Sequence, residues 1–184
     1  MLDVREATDR DAAALAVLLS NALGENMYSA QRMRDDIAFD GSRVTVVERQ
    51  GRLVGGAVSR LLTARDAEYY RAFGIEITDV FRRQPVGSFE AVAVIPEARR
   101  QGLGNRLLDD AVRWFRSEHC AAAVAVSWIS GQPGASAGIF QRAGFSGSTV
   151  VPDFYLQDSL RDGWSCPICG GPCHCAAQSF HVML

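Results

Sequence analysis

Two spacings of apolar residues alternate along this chain, one typical of helices and the other of strands. The first residues indicate a short strand, after which Thr8 and Asp11 stand in the positions of a helix-capping box. Helical spacing follows at Leu15, Leu18, Leu19 and Ala22. A weaker helical pattern comes next, and then two strands joined by a tight Gln50–Gly51 turn. The first third of the chain is therefore predicted to contain both helices and strands.

The rest of the chain alternates strands with helices. SFEAVAVIP and AAAVAVSWI each predict a strand that is apolar on both faces and therefore buried. Between them, helical spacing is shown by Leu107, Leu108, Ala111, Val112 and Phe115, with Arg106, Asp109, Asp110, Arg113 and Arg116 on the opposite, polar face. A short helix then ends at Gly144, and strands around residues 148–157 are predicted to close the domain.

The resulting order, β-α-α-β-β-β-α-β-α-β-β, predicts an α/β fold with a mixed β-sheet flanked by helices. Residues 63–87 interrupt this order, because aromatic residues stand there among charges without a clear period. Their role is open between a lid and a covering loop.

The entrance to the helix that contains Leu107 and Phe115 has the composition of an anion site. In ARRQGLGNRLL, Gly102 and Gly104 remove side chains where the first turn of a helix has N–H groups without internal partners. Arg99 and Arg100 add positive charge next to that turn. The stretch fits neither a dinucleotide-binding fingerprint nor a Walker A loop. The alternative is a glycine-containing connection that binds nothing.

The composition and charge of the chain argue against some classes of function. The chain has 184 residues, enough for one domain with a real core, and a formal net charge of −2 with basic residues scattered among acidic ones. That balance argues against a protein that coats nucleic acid or an anionic membrane. Since the chain shows neither a transmembrane run nor a signal-peptide pattern, a cytoplasmic location is expected.

Three pieces of residues 2–157 resemble the GNAT superfamily of N-acetyltransferases. VVERQGRLVGGAV resembles the central hairpin of that family, and AVAVIPEARRQGLGNRLL resembles its strand and R/Q-x-x-G-x-G/A loop. GIFQRAGF resembles its later helix, which ends in Gly-Phe. The order and spacing of the three pieces strengthen the resemblance, which implies a GNAT-like fold.

The resemblance also implies a binding mode for acetyl-CoA as cosubstrate. The N–H groups of residues 100–105 would bind its pyrophosphate, and the backbone of residues 92–94 would contact the pantetheine arm and the acetyl carbonyl. The cosubstrate-binding residues are then Val92, Ala93, Val94, Arg99, Arg100, Gln101, Gly102, Leu103, Gly104 and Asn105.

Acetyl transfer to an amine requires a base and an acid for the leaving thiolate. Glu90 is the predicted base, because it is the only acid on its strand and alternates there with Val92 and Val94. The alternative for Glu90 is a structural ion pair with an arginine. The family often has a tyrosine where this chain has Phe140, so Tyr155 is the candidate acid, or the thiolate leaves unaided.

The end of the chain raises a separate question. Clustered thiols in a reducing compartment more often hold a metal than form disulfides, and CPICGG resembles a zinc knuckle. Cys166, Cys169, Cys173 and Cys175 are the predicted ligands of one structural Zn²⁺. His174 or His181 could replace one of them, and a reduced or disulfide-linked flexible tail is the alternative.

Together these features predict an acetyltransferase domain over residues 1–160 and a zinc-binding tail over residues 161–184. The function expected is acetyl transfer from acetyl-CoA to an amine of a small molecule, an amino acid, a peptide or a protein. A non-catalytic acyl-CoA-binding regulatory module is the alternative, and docking of a partner through the tail is a third hypothesis. A homodimer is one option for the assembly state.

Overall fold

One mixed sheet organises the computed structural model, which describes residues 3–74, 79–129 and 136–184. Its strands are β1 (Val4–Glu6), β2 (Ser42–Arg49), β3 (Arg52–Leu62), β4 (Val86–Val94), β5 (Ala122–Ile129), β6 (Ser146–Val151) and β7 (Ala176–Met183). Their order across the sheet is β1-β2-β3-β4-β5-β7-β6. The β4–β5 pair is parallel, whereas the other neighbouring strands are antiparallel. The α/β fold with a mixed sheet is thereby confirmed.

Helices cover both faces of this sheet. They are α1 (Ala12–Leu23), α2 (Ala30–Ala38), α3 (Ala67–Tyr70), α4 (Leu103–Ser117), α5 (Ala137–Arg142) and α6 (Leu156–Asp162). Leu15 and Met33 bring α1 and α2 onto one face, while Leu107 and Phe115 bring α4 onto the other. Within the described residues, no helix is both long and apolar enough to cross a membrane.

Several short-range predictions are confirmed. The Thr8 backbone N–H donates to Asp11 Oδ2 over 2.8 Å, which completes a capping box, although a single 3-10 turn separates it from α1. Gln50 and Gly51 both have positive φ angles, +52° and +76°, as a tight hairpin turn requires. Gly144 has a φ of +83° just after α5.

The polar face of α4 needs one correction. Asp110 is buried, although its spacing predicts exposure. The reason is a tertiary contact, because Arg43 of β2 donates from Nε to Asp110 Oδ2 over 2.8 Å. A buried carboxylate is tolerated when it is paired in this way.

Of the segment over residues 63–87, the described residues as far as position 85 cover the start of β4, and residues 86–87 already belong to that strand. Tyr70, Phe73 and Phe81 are buried there and pack in one cluster with Val86 at the start of β4. The Tyr70 hydroxyl is 3.1 Å from Ser88 Oγ, which anchors α3 to β4. Residues 75–78 lie outside the described residues, and so does most of the GQPGAS stretch.

The strands that complete the sheet differ from the predicted ones. Residues 148–157 supply only the end of β6, a turn and the start of α6, whereas β7 comes from the predicted tail and lies between β5 and β6. β7 combines buried Ser179 with buried Ala177 and Phe180, so its sequence lacks a clear apolar alternation. Residues 176–183 are thus part of the main sheet, and residues 163–175 connect α6 to it.

Candidate active site

A gap opens in the middle of the sheet. β4 and β5 pair from Val86–Phe89 with Ala122–Ala125, and beyond these residues the described parts of both strands continue without pairing to each other. β4 stays bonded to β3 as far as Val94, and β5 stays bonded to β7 as far as Ile129. Backbone N–H and C=O groups on the facing edges of the two strands are therefore available to a ligand.

A β-bulge at Glu90 marks the point where the gap begins. Phe89 pairs with Ser59 and Ala91 pairs with Val58, which leaves Glu90 as one extra residue in β4. Such a bulge reverses the alternation of side chains that follows it. The expectation that Glu90 shares a face with Val92 and Val94 is therefore wrong.

The two faces differ in their surroundings. Val92 and Val94 pack against the core beneath α4. Glu90 instead lies on the side of α1 and α2, where Arg60 Nε is 3.8 Å from its Oε2. The Glu90 side chain keeps 28% of its surface exposed, so it can meet a ligand. Burial raises the pKa of the Glu90 carboxyl, and the Arg60 charge only partly offsets that effect.

Arg60 and Asp36 are functional candidates that sequence reasoning missed. Arg60 Nη2 donates to Asp36 Oδ1, so a carboxylate on α2 holds the guanidinium that faces Glu90. Arg60 Nε and Asp36 Oδ2 are buried without a hydrogen-bond partner among the described residues. The available signal was the charge of Arg60 in a mostly apolar strand, because burying a charge is costly unless it is paired.

Tyrosines surround Glu90 on the same face. Tyr28 packs against the cluster that contains Ala91, and the Tyr70 hydroxyl is 3.1 Å from Ser88 Oγ. Tyr155 packs against the cluster that contains Tyr70. The predicted acid therefore lies on the same side of the sheet as the predicted base. Burial raises the pKa of Tyr28 to about 12 and that of Tyr155 further above its ordinary value. Both hydroxyls therefore stay protonated at neutral pH and can donate.

Phe140 does not lie in this neighbourhood. Its ring is 2% exposed and packs in the core on the α4 side, where its centroid is 6.1 Å from that of Phe89. Phe145 and Phe180 complete the packing around it. Phe140 is thus a core residue with no group that could protonate a leaving thiolate.

The loop before α4 ends in a helix N-terminus next to the gap. Gly102 is its N-cap with a φ of +77° and makes no side-chain cap, and the first helical bond runs from Arg106 N to Gly102 O over 3.1 Å. Arg100 also has a positive φ, +60°. N–H groups of a first helical turn lack intrahelical partners, so this turn can hold an anion.

Gly102 and Gly104 serve different purposes. A Cβ on Gly102 would meet no atom within 4 Å, so its backbone conformation is what requires glycine there. A Cβ on Gly104 would lie 2.8 Å from Ile139 Cδ1, so that glycine lets α4 and α5 pack closely. Leu103, between them, is buried and anchors the turn to the core, while Asn105 is exposed.

The polar side chains of this loop tie it to its neighbours. Arg99 Nε donates to the Val94 carbonyl over 3.0 Å, which joins the loop to the end of β4. Gln101 donates from Nε2 to the Glu97 carbonyl over 3.2 Å and accepts from Arg49 of the hairpin. These contacts position the helix N-terminus at the open end of the gap.

Comparison with known proteins shows to which family the chain belongs. The sequence description of the acetyltransferase (GNAT) family matches residues 13–145, which include the gap, the bulge and the loop before α4. This chain belongs to the GNAT acetyltransferase family. Family membership indicates an acyltransferase. No curated protein sequence matches the chain.

Solved GNAT-like structures share the whole fold at low sequence identity. The ribosomal-protein-alanine N-acetyltransferase from Brucella melitensis has a TM-score of 0.68 and 21% identity and covers 100% of both chains. The polyamine N-acetyltransferase from Drosophila melanogaster has a TM-score of 0.66 and 18% identity, again with 100% coverage of both. A chain of the NatC complex, solved with Gag peptide and CoA, has a TM-score of 0.68 and 16% identity and covers 100% of this chain and 98% of that one.

This GNAT chain also brings its four C-terminal cysteines together. The sulfurs of Cys166, Cys169, Cys173 and Cys175 all lie within 4.8 Å of one another, and none is in a disulfide. Cys175 Sγ is 3.9 Å from Cys166 Sγ and 3.7 Å from Cys169 Sγ. Thiolates bound tetrahedrally to one Zn²⁺ at about 2.3 Å would be about 3.8 Å apart. The donor set and its spacing therefore fit a zinc ion.

Neither histidine joins this cluster. His174 Nδ1 is 3.0 Å from Asp153 Oδ1, while the His174 backbone N–H donates to Cys169 Sγ over 3.4 Å. His181 lies within β7, opposite Val124 and Ser146. The structure thus favours a site of four thiolates over the alternatives with a histidine ligand.

Proposed function

We propose that this GNAT protein transfers an acetyl group from acetyl-CoA to a primary amine. The observation that carries the proposal is the gap between β4 and β5 with the N-terminus of α4 at its open end. The acceptor is a small molecule, an amino acid, or a peptide or protein amine.

The α4 side of the gap would bind the cosubstrate. N–H groups of residues 100–105 face the pyrophosphate, and Arg99 and Arg100 add positive charge beside it. Residues 92–94 line the gap with backbone groups that have no partner on β5, so they can bond the pantetheine amides. An N–H of the same stretch donates to the acetyl oxygen as negative charge develops there.

The opposite side of the gap would supply proton transfer. Glu90 accepts a proton from the acceptor ammonium, and the amine nitrogen then attacks the acetyl carbon. When the C–S bond breaks, the thiolate takes a proton from Tyr155, whose pKa is raised by burial, and the extra proton on the new amide nitrogen passes back to the tyrosinate. Arg60, held by Asp36, keeps Glu90 in place.

A CoA-release assay across amines tests this function. We expect at least one amine, from a panel of diamines, amino acids and short peptides with free N-termini, to release CoA faster than acetyl-CoA alone does in the presence of the protein. Calorimetry on the same preparation measures acetyl-CoA binding. Tight binding without release by any amine would favour the alternative, a non-catalytic acyl-CoA-binding regulatory module. The observation that motivates this alternative is Phe140 at the position where the family often has a tyrosine.

Zinc binding by Cys166, Cys169, Cys173 and Cys175 is the second part of the proposal. Sulfur separations near those of a tetrahedral site support it, and so does the packing of Trp128 on the cluster. Four protein ligands leave no open position on the ion, so its contribution is structural.

Elemental analysis of protein purified without added metal tests the site. We expect about one zinc per chain, and its loss in a Cys166→Ser/Cys169→Ser double variant, because two remaining thiolates cannot complete a tetrahedral shell. Cys120→Ser is the matched control, since Cys120 lies apart from the cluster and its replacement keeps the zinc. Metal-free protein with the wild-type sequence would contradict the site.

A further inference from the structure

The cysteine segment is joined to a distant part of the chain. Residues 163–175 carry the cluster, and Ser165 forms two backbone hydrogen bonds with Glu25, of 2.9 Å and 3.2 Å, in the connection between α1 and α2. Trp164 packs on Gly24 so closely that a Cβ there would lie 2.9 Å from the ring. The segment and the connection therefore contact each other through both backbone and side chains.

The same segment also supports the aromatic residues near Glu90. The Trp164 ring is 6.4 Å from that of Tyr155, and Cys173 N–H donates to Ser159 Oγ of α6 over 2.9 Å. Cys166 and Cys173 are each 1% exposed and pack with Met27, Trp128 and Tyr155. Tyr28, in the α1–α2 connection, packs against the cluster that contains Ala91, the residue after Glu90. Residues 24–29 and 153–175 therefore form one wall beside Glu90, called here the acceptor wall.

The cysteine-bearing part of the acceptor wall has no regular secondary structure of its own. Residues 163–175 contain no helix or strand, and Gly170 takes a left-handed φ of +72° to turn the chain between the cysteine pairs. A segment this short cannot bury enough apolar surface to order itself, whereas a metal ion supplies folding free energy directly. Zinc would close the segment into the shape that meets Gly24 and Glu25.

The cosubstrate side is built separately. The loop over residues 99–105 is tied to β4 and the β2–β3 hairpin by Arg99 and Gln101, and Leu103 anchors it in the core beneath α4. These contacts lie on the other face of the sheet from the cysteine cluster and include none of its residues.

We propose that the zinc ion holds the acceptor wall, residues 24–29 together with residues 153–175, as one ordered unit beside Glu90, while acetyl-CoA binding is independent of the metal. This inference rests on the proposed acetyl transfer and on the proposed zinc site. The ion thereby orders the acceptor half of the active site without taking part in the reaction.

Hydrogen exchange on the full-length protein tests this coupling. In Cys169→Ser, whose wild-type thiol is the exposed member of the cluster, we expect amides in residues 153–175 and in residues 24–29 to exchange at least about tenfold faster than in the zinc-loaded protein. Amides of α4 should change by less than about twofold. Acetyl-CoA affinity, measured by calorimetry, should also stay within about twofold. Wild-type protein treated with a chelator repeats the comparison without a substitution.

A second variant separates the wall contact from the metal. Gly24→Val adds a side chain against Trp164 without touching a cysteine, and the extended φ of 171° at Gly24 accepts valine. We expect this variant to keep about one zinc per chain while exchange in residues 24–29 accelerates.

Three results would overturn the inference: no zinc in the wild-type protein, unchanged exchange in residues 24–29 after zinc loss, or a loss of acetyl-CoA affinity with the metal. Failure of the proposed function gives a different result: acetyl-CoA fails to bind the zinc-loaded wild-type protein, or binds without release of CoA by any amine, while the exchange pattern still reports on the wall.

Discussion

Gly102→Val is expected to weaken acetyl-CoA binding by at least about 100-fold, equivalent to about 2.7 kcal/mol. Gly102 caps α4 with a φ of +77°, a conformation that a β-branched residue strongly disfavours. The loop must therefore change its backbone conformation in this variant, and the N–H groups of the first turn no longer point together at the pyrophosphate. Isothermal calorimetry with acetyl-CoA measures the change.

Gly163→Val is the matched control for this loss. Gly163 has a similar φ of +70°, and a Cβ there would also meet nothing within 4 Å. It ends α6 on the side of the sheet opposite the loop before α4, so it should introduce comparable backbone strain without altering acetyl-CoA affinity. Equal affinities for wild type and Gly102→Val would refute the placement of the pyrophosphate at this loop.

Glu90→Gln is expected to lower the rate of acetyl transfer by about 100-fold near pH 7, the usual contribution of a general base. The loss should shrink toward about tenfold or less near pH 10, where an alkylamine begins to deprotonate without help. In the wild-type protein, the lower limb of the pH profile should lie above the ordinary glutamate range, because burial raises the Glu90 pKa. Initial rates across pH at saturating acetyl-CoA provide the measurement.

Stability distinguishes a catalytic Glu90 from a structural one. A carboxyl whose pKa is raised in the folded state favours the fold below its unfolded pKa, and that contribution is lost as pH rises through the folded pKa. Removing this charge with glutamine should therefore leave the Tm at pH 7 unchanged or higher. Glu118→Gln, at an exposed site after α4, should change neither rate nor Tm. A lowered Tm with a small, pH-independent rate effect would make Glu90 a structural ion-pair partner.

The position of Glu90 shows where prediction from the sequence stops. Strand alternation places Glu90 with Val92 and Val94, but one extra residue in β4 moves it to the other face. A bulge depends on how β3 and β4 register against each other, and that register is set by the packing of both faces. Arg60 and Asp36 were missed for a related reason, because they come from different elements and meet only in the folded sheet.

The amino-acid sequence by itself determined the local features and the family resemblance. Capping at Thr8 and Asp11, the hairpin turn at Gln50–Gly51 and the helix entrance at Gly102 depend on backbone preferences of a few neighbouring residues, so they can be predicted without tertiary contacts.

Tertiary structure alone decided the features that join distant segments. β7 enters the sheet between β5 and β6 although its own pattern is weak, because pairing with both strands buries Ala177 and Phe180. The cysteine spacing did not decide whether a histidine is one of the ligands. Only the fold brings the four sulfurs to within 4.8 Å of one another and places the His174 ring against Asp153. Contacts between residues far apart in the chain depend on how the whole core packs, which no local pattern encodes.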